Sequence, residues 1–412
     1  MADFKIPKSK SQISNKFRRP NLKIPGYGIS EIRIWRLFVI WTFAICYLQS
    51  SSTSFAQGLP ASELQVNFSG YFDTFNVSVV YPNVALTKQI SESTSLTTRY
   101  LVDMVSAASI REASSRVDAV SSASQRSYQL PFDDVRQEFG GGITQLLGSS
   151  TISLNGIYSI ENDYASATFA GNLTQPFAKK NTVLQLGFVR SWDRVSPVTK
   201  NWIRRKNSTS FSTTLSQILA PGALVQMLYS WQRYDGHLSD DYKPVTIGRR
   251  QYDPLHPGQR TRHAAATRFK FRLARHTSMQ LGYRYYWDDW DVTSHTVSAL
   301  FQQRVSSMVT IGLGGRGYSQ TSAYFFKPRY AAPEQFMTVD NKLDAAVSSE
   351  VQLHLTLNGG RGRGYIPFLG SEKVQYNLSA SWYQRRTDSP DWFSGLRDLT
   401  AAYFNVGFRY RF

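Results

Sequence analysis

The chain predicts an all-β fold, a transmembrane antiparallel up-and-down β-barrel of about sixteen strands, and three observations carry that prediction. The last residues alternate. Ala402, Phe404, Val406, Phe408, Tyr410 and Phe412 fall on one side of an extended chain, and Tyr403, Asn405, Gly407, Arg409 and Arg411 fall on the other. Upstream, alternating segments of about ten residues follow one another with no long helical stretch, and that is the length a tilted strand needs to cross a hydrocarbon core. The links between them are short and long in turn, as when hairpins close on opposite sides of a membrane.

In order, the segments are 63–72, 75–89, 95–106, 135–147, 151–160, 164–173, 182–192, 207–219, 223–233, 267–275, 278–288, 297–305, 309–318, 347–357, 374–385 and 401–412. The first two are hinged at Asp73 and Thr74. The third sets Leu96, Thr98, Tyr100, Val102 and Met104 on one face, and the ninth sets Val225, Met227, Tyr229 and Trp231 outward. The tenth alternates Phe269, Phe271 and Leu273 with Arg268, Lys270 and Arg272; the eleventh alternates Met279, Leu281, Tyr283, Tyr285 and Trp287 with Gln280, Gly282, Arg284 and Tyr286. With the C-terminus in the periplasm, the short links at 92–93, 148–150, 220–222, 276–277 and 306–307 share one side and the long ones at 107–134, 193–206, 234–266 and 319–343 share the other. The link 358–373 is long for a periplasmic turn, and those at 161–163 and 289–292 are short for outside loops. Fourteen and eighteen are the neighbouring even counts.

Composition agrees with this reading. Apolar residues make up 42% of the chain and mean hydropathy is −0.33, too polar for a bundle of membrane helices but natural for a barrel that hides its apolar residues in every second position. Twenty-three Tyr, 25 Phe and 9 Trp suit the aromatic girdles of a barrel. Residues 1–56 read as a targeting segment: a basic stretch, an apolar core at 35–48, and Ser54, Phe55 and Ala56 before a mature start at Gln57. An uncleaved anchor is the alternative reading of the same run. The barrel domain is then 57–412. The single cysteine, Cys46, sits in the apolar core behind Ile45, so a lipoprotein signal is not expected and the mature chain carries no disulfide, thiolate zinc site or covalent haem. Nine Lys and Arg against Asp3 and Glu31 give the leader +7, leaving +11 (18 − 7) on the mature chain.

The closing strand, with its terminal Phe, resembles the terminal signature of bacterial outer-membrane barrels. Phe408, Tyr410 and Phe412 carry that likeness, which implies recognition of the strand by a barrel-assembly machinery. A second resemblance covers nearly all of the mature chain. It rests on V-S-V-V-Y-P-N-V at 77–84, the pair V-D-M-V-S-A-A-S at 102–109 and V-D-A-V-S-S-A-S at 117–124, Q-R-T-R-H-A at 259–264, Y-R-Y-Y-W-D-D-W at 283–290, and R-G-Y-S-Q-T-S-A-Y-F-F at 316–326. Together these resemble a bacterial family catalogued as a domain of unknown function. The resemblance implies a fold and an integral outer-membrane location in a Gram-negative cell, and no activity.

Candidate functional residues follow from parity. Arg268, Lys270, Arg272, Arg284, Arg409 and Arg411 point inward, and a lumen lined by such residues favours anions. The competing reading pairs them with Asp103, Asp288 and Glu350 in a closed barrel. Asp288, Asp289 and Asp291 beside Trp287 and Trp290 suit either a hard cation or, as the better reading, a charged hairpin tip; no metal and no cofactor is expected. The loop 234–266 holds His237, Asp240, Asp241, His256, Arg260, Arg262 and His263, whose spacing specifies no catalytic set, so arginines contacting lipopolysaccharide or crossing the barrel mouth are preferred to a rim hydrolase. The two V-D-x-V-S-x-A-S copies read as a strand end and an outside hairpin, with a cation or glycan site as the sharper alternative. Gly359 to Gly364 is a flexible link rather than a nucleotide loop. A first strand so near the cleavage point leaves no room for a plug domain, so an energised siderophore-type receptor is not expected. The expected function is a porin-like channel for small, anionic solutes. A non-conducting barrel whose loops 107–134 and 234–266 bind an envelope partner is the alternative. Outer-membrane lipid and lipopolysaccharide are the expected surroundings, with no nucleic acid partner and no enzymatic activity.

Overall fold

The computed structural model describes residues 59–74, 77–107, 132–198, 200–360, 369–390 and 398–412. Sixteen strands close into one antiparallel barrel. They are β1 (Glu63–Asp73), β2 (Val77–Gln89), β3 (Thr94–Ala107), β4 (Phe132–Leu147), β5 (Ser150–Ile160), β6 (Tyr164–Phe177), β7 (Thr182–Val195), β8 (Arg204–Ala220) and β9 (Ala223–Gly236), followed after a two-strand hairpin by seven more. The hairpin is β10 (Val245–Ile247) and β11 (Arg250–Tyr252) and forms its own small sheet. The barrel resumes with β12 (Gln259–Ala274), β13 (Thr277–Asp288), β14 (Thr293–Arg304), β15 (Val309–Gln320), β16 (Ala346–Asn358), β17 (Val374–Thr387) and β18 (Asp398–Arg411). Closure is made by β1 pairing β18, with Glu63 opposite Arg411 and Tyr71 opposite Tyr403. No strand edge is left open, the condition for a sheet in a bilayer, where unpaired backbone groups find no water.

The outer face is apolar. A row of rings runs around it from strand to strand: Phe169 to Phe188 (6.5 Å between centroids), Phe188 to Phe211 (5.1 Å) and Phe211 to Trp231 (5.8 Å). Trp231 is the register partner of His263, which stacks on Trp287 at 5.0 Å. Exposed Leu154, Phe169, Leu281, Val297 and Leu353 share this face, and in a folded chain such a band is stable only against lipid. The inner face carries Ser, Thr, Gly, Asn, Gln and charge, with one buried apolar cluster, Tyr71, Val77, Val79 and Ala401, beside the closing seam. Barrel closure, an apolar exterior and aromatic rows together make this an integral outer-membrane β-barrel.

The lower rim has a repeated device. Gln145, Gln175, Gln217 and Gln303, each near the foot of its strand, accept a hydrogen bond from Thr94, Ser150, Thr182 and Thr277 on the neighbouring strand. Two residues beyond each lies an exposed apolar side chain, Leu147, Phe177, Leu219 or Val305. This amide ring marks where the apolar band meets the polar interface.

Several strands run further than expected at their upper ends. The tenth barrel strand begins at Gln259, not 267, so Arg260, Arg262 and His263, read as loop residues, belong to β12. Alternation fades there because the loops cover the inner face, so apolar and polar residues no longer sort by parity. The two turns flagged as short are short: β5 to β6 crosses 161–163 and β13 to β14 crosses 289–292. The expected leader with Cys46, the second V-D-x-V-S copy and most of the Gly-rich link lie outside the described residues.

Candidate functional site

Two connections fold over one mouth of the barrel, the end where the long links gather. The first, 237–258, leaves and returns at a single point: Gly236 N–H donates to Gly258 O (2.8 Å) and His237 N–H to Arg205 O (2.9 Å). Gly236 has φ +116, and a Cβ there would lie 2.2 Å from Arg205 O, so only glycine fits this exit. The second connection, 321–345, is stitched to the first. Leu255 and Met337 exchange backbone hydrogen bonds (3.0 and 2.8 Å), and Val245, Tyr330 and Met337 form an apolar core between them. A larger cluster of Trp290, Val292, Ala323, Phe325 and Leu343 seats both on the β13–β14 hairpin.

Polar groups complete the roof. Lys243 Nζ lies 2.6 Å from Asp340 Oδ1 and 3.9 Å from Asp240 Oδ2, in a dry site. Burial alone would raise the Asp340 carboxyl, but the ammonium groups of Lys243 and Lys342 and two hydrogen bonds outweigh it and hold the group at about 2. Burial pushes Lys243 down, against the pull of both aspartates, and pushes Asp240 up. His256 N–H donates to Ser239 Oγ (2.9 Å). Its ring packs on Trp290 and Phe325 (5.5 and 5.3 Å), with Nδ1 3.0 Å from Leu238 O. Nδ1 is therefore the protonated nitrogen. Nε2 is buried with no hydrogen-bond partner, and burial lowers the imidazole to about 4. The roof is tied to the far wall: Tyr242 Oη donates to Asp163 in the β5–β6 turn, and Arg385 Nη2 on β17 donates to Asn341 O (2.6 Å).

Beneath lies a cavity of about 600 Å³. Its walls include Tyr164, Lys206, Tyr234, Arg260, Arg262, Arg284, Tyr286 and Tyr318, and its roof includes Asp240, Tyr242, His256 and Asp340. Side chains from β6 to β15 meet the roof loops in one cavity only if they stand on the concave face, so it opens into the barrel interior.

The inner carboxylates are nearly all spoken for. Glu63 sits 3.7 Å from both Arg409 and Arg411; Asp103 pairs with Arg136 (3.3 Å), Glu138 with Arg99 (2.7 Å), Asp193 with Lys206 (3.6 Å) and Glu350 with Arg316 (3.8 Å). Asp288 receives Arg260 through Nε (2.9 Å) and Nη2 (2.5 Å), Tyr286 Oη, and the backbone N–H groups of Trp290 and Val292 (3.0 and 3.1 Å). It organises its hairpin as an Asx turn. Asp289 accepts Thr261 N–H (2.8 Å), and Asp291 takes the left-handed conformation at the tip (φ +63). The three aspartates are thus used in building the turn.

The expected partners of the basic row are therefore occupied by other residues: Asp103, Asp288 and Glu350 go to Arg136, Arg260 and Arg316. Arg268 keeps only a hydrogen bond to Gln226 Oε1 (3.3 Å). Among the described residues, Arg262, Arg268, Lys270, Arg272 and Arg284 have no carboxylate within 4.0 Å, and all five stand on the inner face of β12 and β13. Arg409 and Arg411 are at the seam with Glu63. Opposite them, outward, Phe408 packs on Tyr376 (5.3 Å), and Tyr410 stacks with Phe412, over whose ring sits Lys88 Nζ (5.0 Å). His263 faces outward, hydrogen-bonded to Tyr229 Oη (2.8 Å), so it does not meet His237 and His256. His237 is held by Asp241 (2.6 Å) and Arg204 (3.0 Å). The part of the roof made by 321–345 was unforeseen; the dense aromatics of that stretch are its trace in the sequence.

A closed sixteen-strand barrel with a lipid-facing band and a roofed, polar interior defines an integral outer-membrane barrel protein. A family model described as "Protein of unknown function (DUF3570)" matches residues 42–213 and 200–395, and the chain belongs to that family. No curated protein matches it. Among solved structures, a bacterial polysaccharide outer membrane secretin aligns with TM-score 0.50 and 8% identity over 85% of this chain and 98% of that one. The siderophore receptor PirA from Acinetobacter baumannii aligns with TM-score 0.44 and 9% identity, over 80% of this chain and 53% of the receptor. The likeness to the secretin shows the fold alone.

Proposed function

We propose that this protein is a solute channel that passes small anionic molecules across the outer membrane, through a lumen whose entrance is narrowed by the folded loops. The observation that supports this is the unmatched charge of β12 and β13. Arg268 and Arg272 are exposed on the inward face, so they are solvated there rather than packed. Hydrated cations on one wall attract anions along the whole passage, and the low-dielectric barrel around them concentrates that field. No catalytic activity is assigned, since His237 and His256 are each committed to holding the roof. Lipopolysaccharide is the proposed outer partner: Arg194 and Arg205 sit directly opposite each other on the outer face, an arrangement that like charges resist unless an anion lies between them. The closing strand is the proposed signal for barrel assembly.

The test is single-channel conductance of the refolded protein in a planar bilayer under a salt gradient. An anion-directed reversal potential is expected, and replacing Arg268, Lys270 and Arg272 together by Gln should move it towards zero. A reversal potential unchanged by that triple replacement overturns the assignment. The firmly packed roof favours one other reading, a closed barrel whose loops dock an envelope protein; a folded barrel that stays silent would select it.

A further inference from the structure

The roofed cavity is more than a constriction. Its carboxylates are engaged from within the chain: Asp163 by Tyr242, Asp241 by His237, and Asp340 by Lys243, with Asp240 beside the same ammonium. Among its cations, Lys342 of the roof makes no ion pair within 4.0 Å, and neither do two arginines of the walls. Arg262 lies over the Tyr234 ring (4.7 Å) and its buried Nε has no hydrogen-bond partner; Arg284 lies over Tyr286 (5.4 Å) and makes no ion pair. Rings beneath a guanidinium orient it without using its N–H donors, which remain free for a planar oxyanion. His256, which also lines the cavity, has a buried Nε2 acceptor with no hydrogen-bond partner. An acceptor sealed from water in this way costs free energy until a donor reaches it.

We infer that the cavity is a binding site for one small hydroxylated anion, whose carboxylate or phosphate is gripped by Arg262 and Arg284 and whose hydroxyl donates to His256 Nε2. The volume suits a solute of monosaccharide to disaccharide size, well above a bare inorganic ion. The inference rests on the channel reading for the solute's route into the cavity, and it names the chemical class that the channel would select.

The test uses the full chain refolded in detergent, with Trp290 in the cavity wall as a fluorescent reporter. Glucuronate and glucose 6-phosphate are titrated against glucose and inorganic phosphate. Saturable binding of glucuronate or glucose 6-phosphate, at least tenfold tighter than glucose or inorganic phosphate, is expected, and the better of the two tells carboxylate from phosphate. Replacing Arg262 and Arg284 by Gln should weaken it at least tenfold, while Lys180→Gln, in the exposed turn between β6 and β7 and outside the cavity, should leave it unchanged. Arg284→Lys retains charge and removes the fork, so it should weaken binding even if the double variant fails to fold. No saturable binding by either hexose anion, glucose binding as well as glucuronate, or full affinity in Arg284→Lys would each overturn the inference. Conductance on the same preparation separates the two readings. Anion-selective current without saturable binding removes the binding site and keeps the channel; binding without current does the reverse.

Discussion

Replacing Asp340 by Asn tests what holds the roof shut. The change keeps an oxygen that can still accept Lys342 N–H, now 3.0 Å away, but it leaves Lys243 buried with only Asp240 at 3.9 Å. Removing one partner of a buried pair costs about 3–5 kcal/mol, because the remaining charge is stranded away from water. The retained oxygen puts the expected cost near the lower end. At about 1.4 kcal/mol per tenfold, the open fraction of the roof should rise roughly 100-fold. The exposed pair Lys327–Glu334 is the internal control. It is as short (2.5 Å), but its side chains are 46% and 41% exposed, so Lys327→Gln should change opening by at most about fivefold.

The assay is the labelling rate of a cysteine introduced at Val245, which is 0% exposed in the closed roof. With Cys46 replaced by Ser, a charged maleimide reaches that thiol only when the roof opens, so the rate reports the local opening equilibrium. Electrophoretic heat-modifiability checks that the barrel stays folded. Labelling of Asp340→Asn within threefold of the parent, or an equal acceleration from Lys327→Gln, would refute the reasoning.

Two further outcomes are expected. His256 sits at about 4 when the roof is closed, below the ordinary 6.5 for a histidine, so the open form binds the proton more readily. Closure is fully stabilised above pH 6.5 and loses about 3 kcal/mol as pH falls towards 4. The single-channel open probability should therefore rise over that window, and His256→Asn, which can still donate to Leu238 O, should flatten the rise. On the outer face, replacing Arg194 and Arg205 by Gln should raise the melting temperature slightly in lipid-free detergent, by relieving the like-charge contact, and should abolish the rise that lipopolysaccharide gives the parent. Equal stabilisation of both proteins by lipopolysaccharide would remove that site.

How legible the protein was depends on which environment each residue meets. Within the bilayer, lipid on one side and water on the other force strict alternation, so the strands around Phe269 and Arg268, or Phe408 and Arg409, were readable with their parity. Above the bilayer that contrast disappears. Residues 259–266 pair as firmly as the rest of β12, yet the roof covers their inner face, and they read as loop. The pairing of charges was hidden for a different reason. Asp288 and Arg260 meet because β12 and β13 are neighbours in a particular register, and their separation in sequence says nothing of it. The roof joins residues still farther apart, with Lys243 meeting Asp340 and Leu255 meeting Met337. The glutamine ring was present in the chain as four copies of Gln two residues before an apolar residue at a turn, a spacing that alternation alone did not bring out.

The two uses of β12 are linked through one hairpin. Its lower half carries Arg268, Lys270 and Arg272 into the lumen, while its upper half sends Arg260 to Asp288. That same carboxylate fixes the backbone of Trp290 and Val292, on which the roof's apolar cluster rests. Arg260 also lies 4.1 Å from the centre of the Trp290 ring, so the guanidinium, the carboxylate and the roof's main apolar anchor form one packed unit. Tyr286 belongs to it as well, donating to Asp288 while its ring supports Arg284. An anion drawn to Arg262 and Arg284 therefore arrives next to the groups that seat the roof. Its negative charge adds to that of Asp288 and holds Arg260 more firmly, so occupancy should favour the closed roof. On the proposed channel reading, a solute that binds and closes its own chamber would leave on the lumen side, where the exposed Arg268 and Arg272 would offer the next, more hydrated sites, so that the unmatched cations of one wall would form a continuous descent.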